Sequence, residues 1–530
     1  MKELKELKFE ELSVEQKLGL AAISFTFDST RELDSENISY LESLIKNHSL
    51  GGIWVNPKNR QNDAAIKRLK EAADYPLLVF TDAEAGIGEY TTGRHNVIGV
   101  TDSEELAYTF GKVVAATAAA RGYNVICNPV LDMTDCNSVC GGTMRAYGSD
   151  KVRVTALASA EAQGMHDGGC LTVGKHYPGK PKNAPSDIDS HMAPTVSYAT
   201  KEDLLEYSLY PYIELNKKGL LDGVMLTHSD FVNIDPDYPM SLSQHGIEIL
   251  REQGFEGLAL TDGLNMMGVV AKFGEKNSIG LAVGNAGAMA LPMRDNFKEV
   301  MTWLKECYDE GLIADDRLDV AVKSVLHMQH KVLSLPKDVE PTEQDLAKFT
   351  RINTDSVYAR VDEGLTTALD KNGNYYFAVL TEAGIQGEVA VDTFKGQWYN
   401  PVAIKEHLEK EYPNAKAGLL SEFPTAREIA NFLSDSLDRE TVFITFCMSQ
   451  AYVGEERFTP RITSLMKAMQ MTNRISTVLH FGNPFLLEDL PHIPRIVIGT
   501  ISEPGVEAAL NVLAGEYPAK GVMTYDVKLK

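Results

Sequence analysis

The chain has 530 residues, enough for two or more domains with full cores, and its 44% hydrophobic and 24% charged residues are typical of a globular protein. Its formal net charge of −23 argues against nucleic acid or an anionic membrane as a general partner. Six cysteines in a chain of this length form no disulfide framework, which favours a reducing compartment.

The N-terminal segment is charged and amphipathic and lacks the apolar core of a secretory signal, so we expect a cytoplasmic location. No apolar run approaches the ~20 residues of a membrane span, and we expect no membrane partner. Cys136 and Cys140 are close in sequence, but no second Cys/His pair follows at zinc-site spacing. We therefore expect neither a metal nor a cofactor.

Short apolar runs alternate with longer amphipathic segments through about residue 335. Helical patterns at 102–121, 151–169 and 244–253 separate several of the runs. The runs lie at 19–24, 51–55, 77–81, 123–129, 170–174, 221–227, 256–261 and 287–292. Eight strands alternating with helices over ~300 residues predict a (β/α)8, TIM-like barrel at 1–335, with a doubly wound open sheet as the alternative.

A second α/β pattern follows the barrel pattern. Residues 336–355 are polar, contain two prolines and are typical of a linker. The strand-like runs beyond them lie at 375–380, 442–447, 476–481 and 495–500, and 425–437 is helical. We predict a smaller α/β sandwich domain at 356–530, which could cover the barrel mouth or form a homodimer.

Polar residues follow four of the predicted barrel strands. Asp82 follows the third strand, Lys175 and His176 follow the fifth, His228 ends the sixth and Asp262 ends the seventh. In a barrel these positions lie at the carboxyl-end mouth, where barrel active sites are found. Each alone has a structural explanation, with Asp82 as a helix cap, His228 as a satisfied core histidine and Asp262 as a turn residue. Their presence on one rim favours a functional site.

The loop after the fifth run contains Asp189 and His191, two positions apart. At this spacing a carboxylate can orient an imidazole and hold its proton, which is half of a catalytic triad on one local turn. A solvated surface loop with incidental charges is the alternative explanation for this pair alone.

Several short motifs occur in a fixed order along the chain. They are 82–86 (DAEAG), 128–132 (NPVLD), 145–150 (RAYGSD), 175–179 (KHYPG), 189–191 (DSH), 225–228 (MLTH), 261–266 (TDGLNM), 481–484 (FGNP) and 515–521 (GEYPAKG). The ordered set resembles glycoside hydrolase family 3, in its two-domain form and in the branch of β-N-acetylhexosaminidases linked to peptidoglycan recycling. The resemblance covers nearly the whole chain.

The resemblance implies a mechanism. Asp262 would be the nucleophile that forms a covalent glycosyl-enzyme, and His191, oriented by Asp189, would be the general acid and base. We then expect a retaining exo-β-N-acetylglucosaminidase that acts on terminal N-acetylhexosamine of cell-wall or other β-glycosides. The side chains implied to hold the sugar are Asp82, Arg145, Lys175, His176, His228 and Met266.

The chain departs from the family pattern near the sugar. Lys180 and Lys182 stand where the family has Gly-His-Gly, and Gly263 replaces a second aspartate beside the nucleophile. The arginine expected after the DAEAG segment is absent. Three alternatives follow: a phosphorylase on the same scaffold, a β-glucosidase, and a sugar-binding protein that has lost catalysis. We expect Lys180 and Lys182 near the aglycone, where they would favour an anionic partner.

Overall fold

The computed structural model describes residues 4–25, 35–58, 60–136, 142–182, 189–381, 400–447 and 457–530. The chain divides into two compact units. The first consists of Met1–Thr91, Glu104–Met133 and Asp150–Phe349, and the second of Thr92–Ser103, Thr134–Ser149 and Thr350–Lys530. Two short segments from the first half of the sequence are therefore part of the second unit.

A ring of parallel strands forms the centre of the first unit. Seven strands pair in chain order: β1 Ile23–Phe25, β2 Gly52–Trp54, β3 Leu78–Thr81, β4 Val125–Ile126, β5 Leu171–Tyr177, β6 Gly223–Leu226 and β7 Leu258–Thr261. Met289 bridges β7 at Leu260, and Ala290 bridges the start of β1 at Ala22. The Thr261 N–H donates to the Met289 carbonyl at 3.1 Å and the Ile23 N–H to the Ala290 carbonyl at 2.9 Å. The eighth predicted run thus closes the ring, and the predicted (β/α)8 barrel is confirmed.

The barrel strands are buried on both faces, as parallel strands under a layer of helices must be. All four residues of β3 are buried, and so are all four of β6 and of β7. Such strands have continuous apolar sequences, which is why the first seven predicted runs overlap the seven strands of the ring. The interior is filled by side chains that include Phe80, Val173 and Met225.

Helices surround the ring. The predicted helices at 102–121, 151–169 and 244–253 are observed as Glu104–Ala120, Lys151–Asp167 and Gln244–Arg251. The other α-helices described before residue 356 and within the first unit are Val14–Leu20, Ser35–Lys46, Asp63–Ala72, Lys201–Asp203, Tyr210–Lys217, Met267–Phe273, Glu275–Gly284, Phe297–Asp309, Asp315–Leu333 and, in its first part, Glu343–Asp355. Shorter helical turns are Phe9–Glu11, Arg60–Asn62, Met240–Leu242 and the π-helical Leu204–Ser208. Two small ribbons pair Gly86–Ile87 with Tyr90–Thr91 and Val196–Ser197 with Asp230–Phe231.

The segment predicted as a linker contains the helix Glu343–Asp355. Phe349 and Ile352 of this helix are buried, and Phe349 stacks on Phe110 with ring centroids 6.0 Å apart. The first unit ends within this helix.

The second unit is built on a six-stranded sheet. Its strands are β8 Tyr358–Val361, β9 Tyr375–Thr381, β10 Lys416–Ser421, β11 Glu440–Cys447, β12 Ile475–Gly482 and β13 Arg495–Gly499. Their order is β8-β13-β12-β11-β9-β10, with β8 antiparallel to β13 and the other neighbours parallel. The helices of its described part are His95–Thr101, Gly142–Arg145, Pro401–Glu411, Ala426–Asp435, Pro460–Met471 and Glu503–Ala514, with the 3-10 turn Pro484–Asp489.

Alternate residues of the sheet face two separate cores. Phe377 of β9 packs in the cluster that contains Leu408, whereas Tyr376 packs in the cluster that contains Phe432 and Met466. Helices therefore cover both faces, which confirms the predicted α/β sandwich. The four predicted strands are β9, β11, β12 and β13; strands β8 and β10 were not predicted. Within the described parts of both units, no helix is long and apolar enough to cross a membrane.

Candidate active site

The carboxyl ends of the barrel strands bring most of the predicted site residues to one mouth. Asp82 follows β3, Lys175 and His176 lie near the carboxyl end of β5, His228 follows β6 and Asp262 follows β7. The parallel register sets Lys175 opposite Met225 and Thr261 opposite Leu226, so these strand ends are level with one another.

Lys175 is fully buried and pairs with two carboxylates. Its Nζ lies 2.5 Å from Asp82 Oδ1 and 2.9 Å from Glu84 Oε1. A buried ammonium needs such partners, since desolvation would otherwise favour its neutral form. About half of the Asp82 side chain remains exposed, so this carboxylate can also accept a hydrogen bond from a ligand hydroxyl.

His176 is oriented by Asp132. Asp132 Oδ2 lies 2.6 Å from His176 Nδ1 and also accepts from the His176 backbone N–H at 3.2 Å. Because the carboxylate can only accept, the ring proton is on Nδ1. The opposite nitrogen, Nε2, lies 4.0 Å from Asp262 Oδ2. The histidine thus links the carboxylate of the β4 loop to that of the β7 end.

Asp262 is held in its charged form. Burial alone would raise its pKa, but the nearby imidazoles of His176 and His228 and a hydrogen bond from the Gly263 N–H lower it more, so the pKa lies below the ordinary value of 3.8. The Gly263 N–H donates to Asp262 Oδ1 at 2.7 Å. An ionised, partly exposed carboxylate at the mouth can act as a nucleophile.

Asp189 and His191 form the pair that their spacing predicts. The Asp189 side chain is fully buried, and its Oδ1 lies 2.7 Å from His191 Nδ1 and accepts from the His191 backbone N–H at 2.9 Å. Because the carboxylate can only accept, the ring proton is on Nδ1, and the two bonds to one oxygen set the ring orientation. Proton transfer to or from a substrate would then use Nε2.

The loop that carries His191 is attached to the segment that follows Asp262. The Gly268 N–H donates to the Ser190 carbonyl at 2.8 Å, and the Met267 N–H donates to the His191 carbonyl at 3.3 Å. Further along, the hydroxyl of Thr195 donates to that of Ser229 at 2.8 Å. The Asp189–His191 pair and Asp262 therefore lie on directly bonded segments.

His228 makes two internal hydrogen bonds. Its Nε2 donates to the Gly263 carbonyl at 2.8 Å, and its Nδ1 lies 2.7 Å from Ser241 Oγ. The residue is fully buried, and this burial lowers its pKa. Both ring nitrogens are used within the protein, and the structural explanation fits His228 better than a bond to a sugar hydroxyl does.

The remaining residues predicted for the site make none of the contacts described above. Met266 is buried and caps the helix Met267–Phe273. Arg145 is in the second unit, so its sugar-binding role stays a prediction. The Lys182 ammonium lies 5.9 Å from the centre of the Tyr207 ring, and its place beside an aglycone also stays a prediction. Cys140, one of the two cysteines considered as metal ligands, lies outside the described residues.

Glu84 and Asp132 are partners in the site that were not predicted as site residues. Both occur in the quoted motifs DAEAG and NPVLD, and each follows a barrel strand, as Asp82 does. Position after a strand was therefore a usable signal for both.

Comparisons with known proteins identify relatives of the whole chain and of its barrel. The model of "Glycosyl hydrolase family 3 N terminal domain" matches residues 13–328. The beta-hexosaminidase of Tolumonas auensis is 30% identical over 257 residues, which is 46% of this chain and 74% of that protein. The beta-hexosaminidase of Idiomarina loihiensis is 31% identical over 243 residues, or 43% and 71% of the two chains.

Solved structures share the whole architecture. A glycoside hydrolase family 3 beta-N-acetylglucosaminidase from Paenibacillus sp. str. FPU-7 aligns with a TM-score of 0.78 and 23% identity, covering 98% of this chain and all of that one. The beta-glucoside phosphorylase BglX aligns with a TM-score of 0.77 and 21% identity, covering 98% and 95%. At these identities the likeness shows the fold alone.

Proposed function

The chain belongs to glycoside hydrolase family 3 and is a glycoside hydrolase, and from this premise we propose that it is a retaining exo-β-N-acetylglucosaminidase. It would release terminal N-acetylhexosamine from β-glycosides through a covalent intermediate on Asp262. The observation that carries the proposal is the His191–Asp189 pair, joined through its loop to the segment that follows Asp262. The beta-hexosaminidase names of relatives at about 30% identity support the choice of sugar.

In the first step an Asp262 carboxylate oxygen attacks the anomeric carbon. The bond from that carbon to Asp262 forms as its bond to the leaving oxygen breaks. The attacking group must be ionised below an oxocarbenium-like transition state, and its lowered pKa supplies that charge at neutral pH. The Gly263 N–H bond to Oδ1 limits the rotation of the carboxylate, which favours an aligned attack by Oδ2.

His191 supplies the proton to the leaving oxygen and then removes one from the attacking water. Its Nδ1–H bond to the buried Asp189 keeps Nε2 as the atom that exchanges the proton. The Asp189 charge also stabilises the imidazolium that exists before the proton is given away and again after water is deprotonated. Two displacements at one carbon retain the β-configuration.

The two charged clusters of the mouth would hold the sugar hydroxyls. Lys175 fixes Asp82 and Glu84 on one side, and Asp132 fixes His176 on the other. Groups that are already oriented by ionic partners lose little entropy when a sugar binds, and each missing hydroxyl leaves a charge poorly solvated. This arrangement favours one terminal sugar and hence exo-action.

Water is favoured over phosphate as the acceptor. In the described part of the barrel mouth, the ammonium of Lys175 is already matched by two carboxylates. Asp262 is a neutral ester when the acceptor enters, but the carboxylates of Asp132 and Asp189 would still repel an incoming phosphate. A phosphorylase, like the neighbouring beta-glucoside phosphorylase BglX, is therefore the alternative outcome of the test.

The test is a panel of aryl β-glycosides that differ at C2, assayed with and without inorganic phosphate, with the products followed by NMR. We expect the highest kcat/KM for the N-acetylglucosaminide, a free β-sugar as the first product and no effect of phosphate. A sugar 1-phosphate would establish a phosphorylase, and a preference for the glucoside would establish a β-glucosidase. Binding without turnover of any glycoside would establish a sugar-binding protein.

We also propose peptidoglycan fragments as natural substrates and a cytoplasmic location, because the resemblance is to enzymes of cell-wall recycling and the cysteine content is low. A disaccharide with a muramic acid leaving group should then be a better substrate than chitobiose. Equal kcat/KM for the two would remove the support for this specificity.

A further inference from the structure

We propose that Gly268 is a positioning residue for the general acid, because its missing side chain allows the His191 loop to dock on the helix that follows Asp262. The inference rests on the proposed role of His191 in proton transfer. The geometry that leads to it is a pair of backbone hydrogen bonds and a space too small for a Cβ atom.

The docking uses the first turn of the helix Met267–Phe273. The first N–H groups of a helix have no partner within the helix. Here the Met267 N–H donates to the His191 carbonyl at 3.3 Å and the Gly268 N–H to the Ser190 carbonyl at 2.8 Å. The loop residues on either side of the Ser190 carbonyl are Asp189 and His191, the two members of the acid–base pair. A shift of this carbonyl therefore moves the imidazole.

A side chain at position 268 would meet two groups. A Cβ atom there would lie 2.8 Å from the Ser190 carbonyl oxygen and 3.3 Å from the His228 Cβ. His228 is held by Ser241 and by the Gly263 carbonyl, and it is fully buried. Ser190 and His191 are only partly buried, so we expect the Ser190 carbonyl to move away rather than His228. Glycine at 268 thus lets the His191 loop approach the first turn of the helix that follows Asp262.

Replacing Gly268 by alanine should push the Ser190 carbonyl outward by a few tenths of an ångström or more. Displacements of about 1 Å at a catalytic group cost up to about 100-fold in rate, so we expect kcat/KM to fall ~10–100-fold for a disaccharide. Dinitrophenolate leaves without a proton, so the kcat/KM of the variant for a dinitrophenyl glycoside should stay near that of the wild type. A loss of this kind is the signature of a misplaced acid.

The matched control is Gly280→Ala in the next helix, Glu275–Gly284. A Cβ at 280 would lie 2.7 Å from Cys307 Sγ and 2.7 Å from Leu312 Cδ2, so the crowding is similar, but the crowded groups are not part of the His191 loop. We expect Gly280→Ala to lower the melting temperature without changing the dependence on the leaving group.

A second variant, Met267→Pro, removes one docking bond without adding a side chain at 268. Position 267 is the first residue of its helix, where proline is tolerated, and Met266 has φ −71° and ψ 141°, which suit a residue before proline. The variant keeps the helix and loses the donor to the His191 carbonyl. It should show the leaving-group pattern of Gly268→Ala.

The decisive experiment is a double-mutant cycle of Gly268→Ala with His191→Ala, in which kcat/KM is measured on a disaccharide and on the dinitrophenyl glycoside. If Gly268 acts through His191, Gly268→Ala causes no further loss in the His191→Ala background. An additive loss, or equal losses on both substrates, would overturn the proposal and indicate a general effect on Asp262 or on folding. The His191→Ala single variant tests the role of His191 separately, so the two failures are distinguishable.

Discussion

Replacing His191 by alanine should slow the enzyme most on glycosides whose leaving oxygen is basic. In the wild type, residue 191 gives the buried Asp189 carboxylate two hydrogen bonds, one from the imidazole and one from the backbone N–H. The change removes the first and keeps the second. General acid catalysis is worth ~10²–10⁴-fold. The ring is oriented by a fully buried carboxylate at 2.7 Å, so we expect a loss near the middle of that range, ~10³-fold or about 4 kcal/mol, on a disaccharide.

Asp189→Asn is the matched variant, because an amide oxygen can still accept from both His191 donors while the negative charge is lost. We expect a smaller loss of ~10–100-fold with the same dependence on the leaving group. The assay is kcat/KM for aryl N-acetylglucosaminides of graded leaving-group pKa, with melting curves as the folding control. If the slope for His191→Ala is no steeper than for the wild type, His191 is not the general acid.

Three further predictions test other parts of the site and the barrel. Asp262→Asn should lower kcat by at least ~10³-fold with an unchanged melting temperature, since a carboxamide of equal shape is a poor nucleophile. Because the pKa of Asp262 lies below 3.8, the acidic limb of the wild-type pH–rate profile that reports its ionisation should also lie below pH 3.8. An acidic limb well above that pH would contradict the assignment of Asp262. Lys175→Met should raise KM and lower kcat/KM ~10–100-fold, because it removes a charged donor and leaves Asp82 and Glu84 repelling each other, and an unchanged KM would refute this. Asp222→Asn should destabilise the barrel by ~3–5 kcal/mol, because the buried Asp222 accepts from the Thr172 N–H, pairs with His166 and Lys331, and has a pKa lowered to about 2. In the wild type, the stabilisation by Asp222 should be complete above the ordinary carboxyl pKa and be lost as the pH falls toward 2. Urea unfolding that shows no such pH dependence would contradict this prediction.

The barrel could be predicted because its strands carry their own signal. Each is buried on both faces and therefore appears as a continuous apolar run between amphipathic helices. Strand β10 was not predicted because only two of its six residues are buried, and Gly418 weakens the pattern further. The grouping of 92–103 and 134–149 with the second unit was not predicted either, since it depends on contacts between distant parts of the chain.

The site was predicted as a set of rim residues, and of its pairings only that of Asp189 with His191 was predicted. Asp189 and His191 are two residues apart, so their bond could be inferred from sequence. The bond between Asp132 and His176 joins residues 44 positions apart and depends on the register of β4 and β5. His228 has the same type of position as Lys175, and its side chain instead turns to Ser241 and the Gly263 carbonyl. The direction of a side chain at a strand end is set by its neighbours, which local patterns do not contain.

The measurement that tests the central claim most directly is mass spectrometry of the His191→Ala variant quenched during turnover of a dinitrophenyl N-acetylglucosaminide. Glycosylation needs no acid with this leaving group, whereas hydrolysis of the intermediate lacks its base, so the glycosyl-enzyme should accumulate. We expect the mass of one N-acetylhexosaminyl group on the peptide that contains Asp262. An adduct on another carboxylate, or turnover with inversion and without any adduct, would contradict the assignment of Asp262 as the nucleophile.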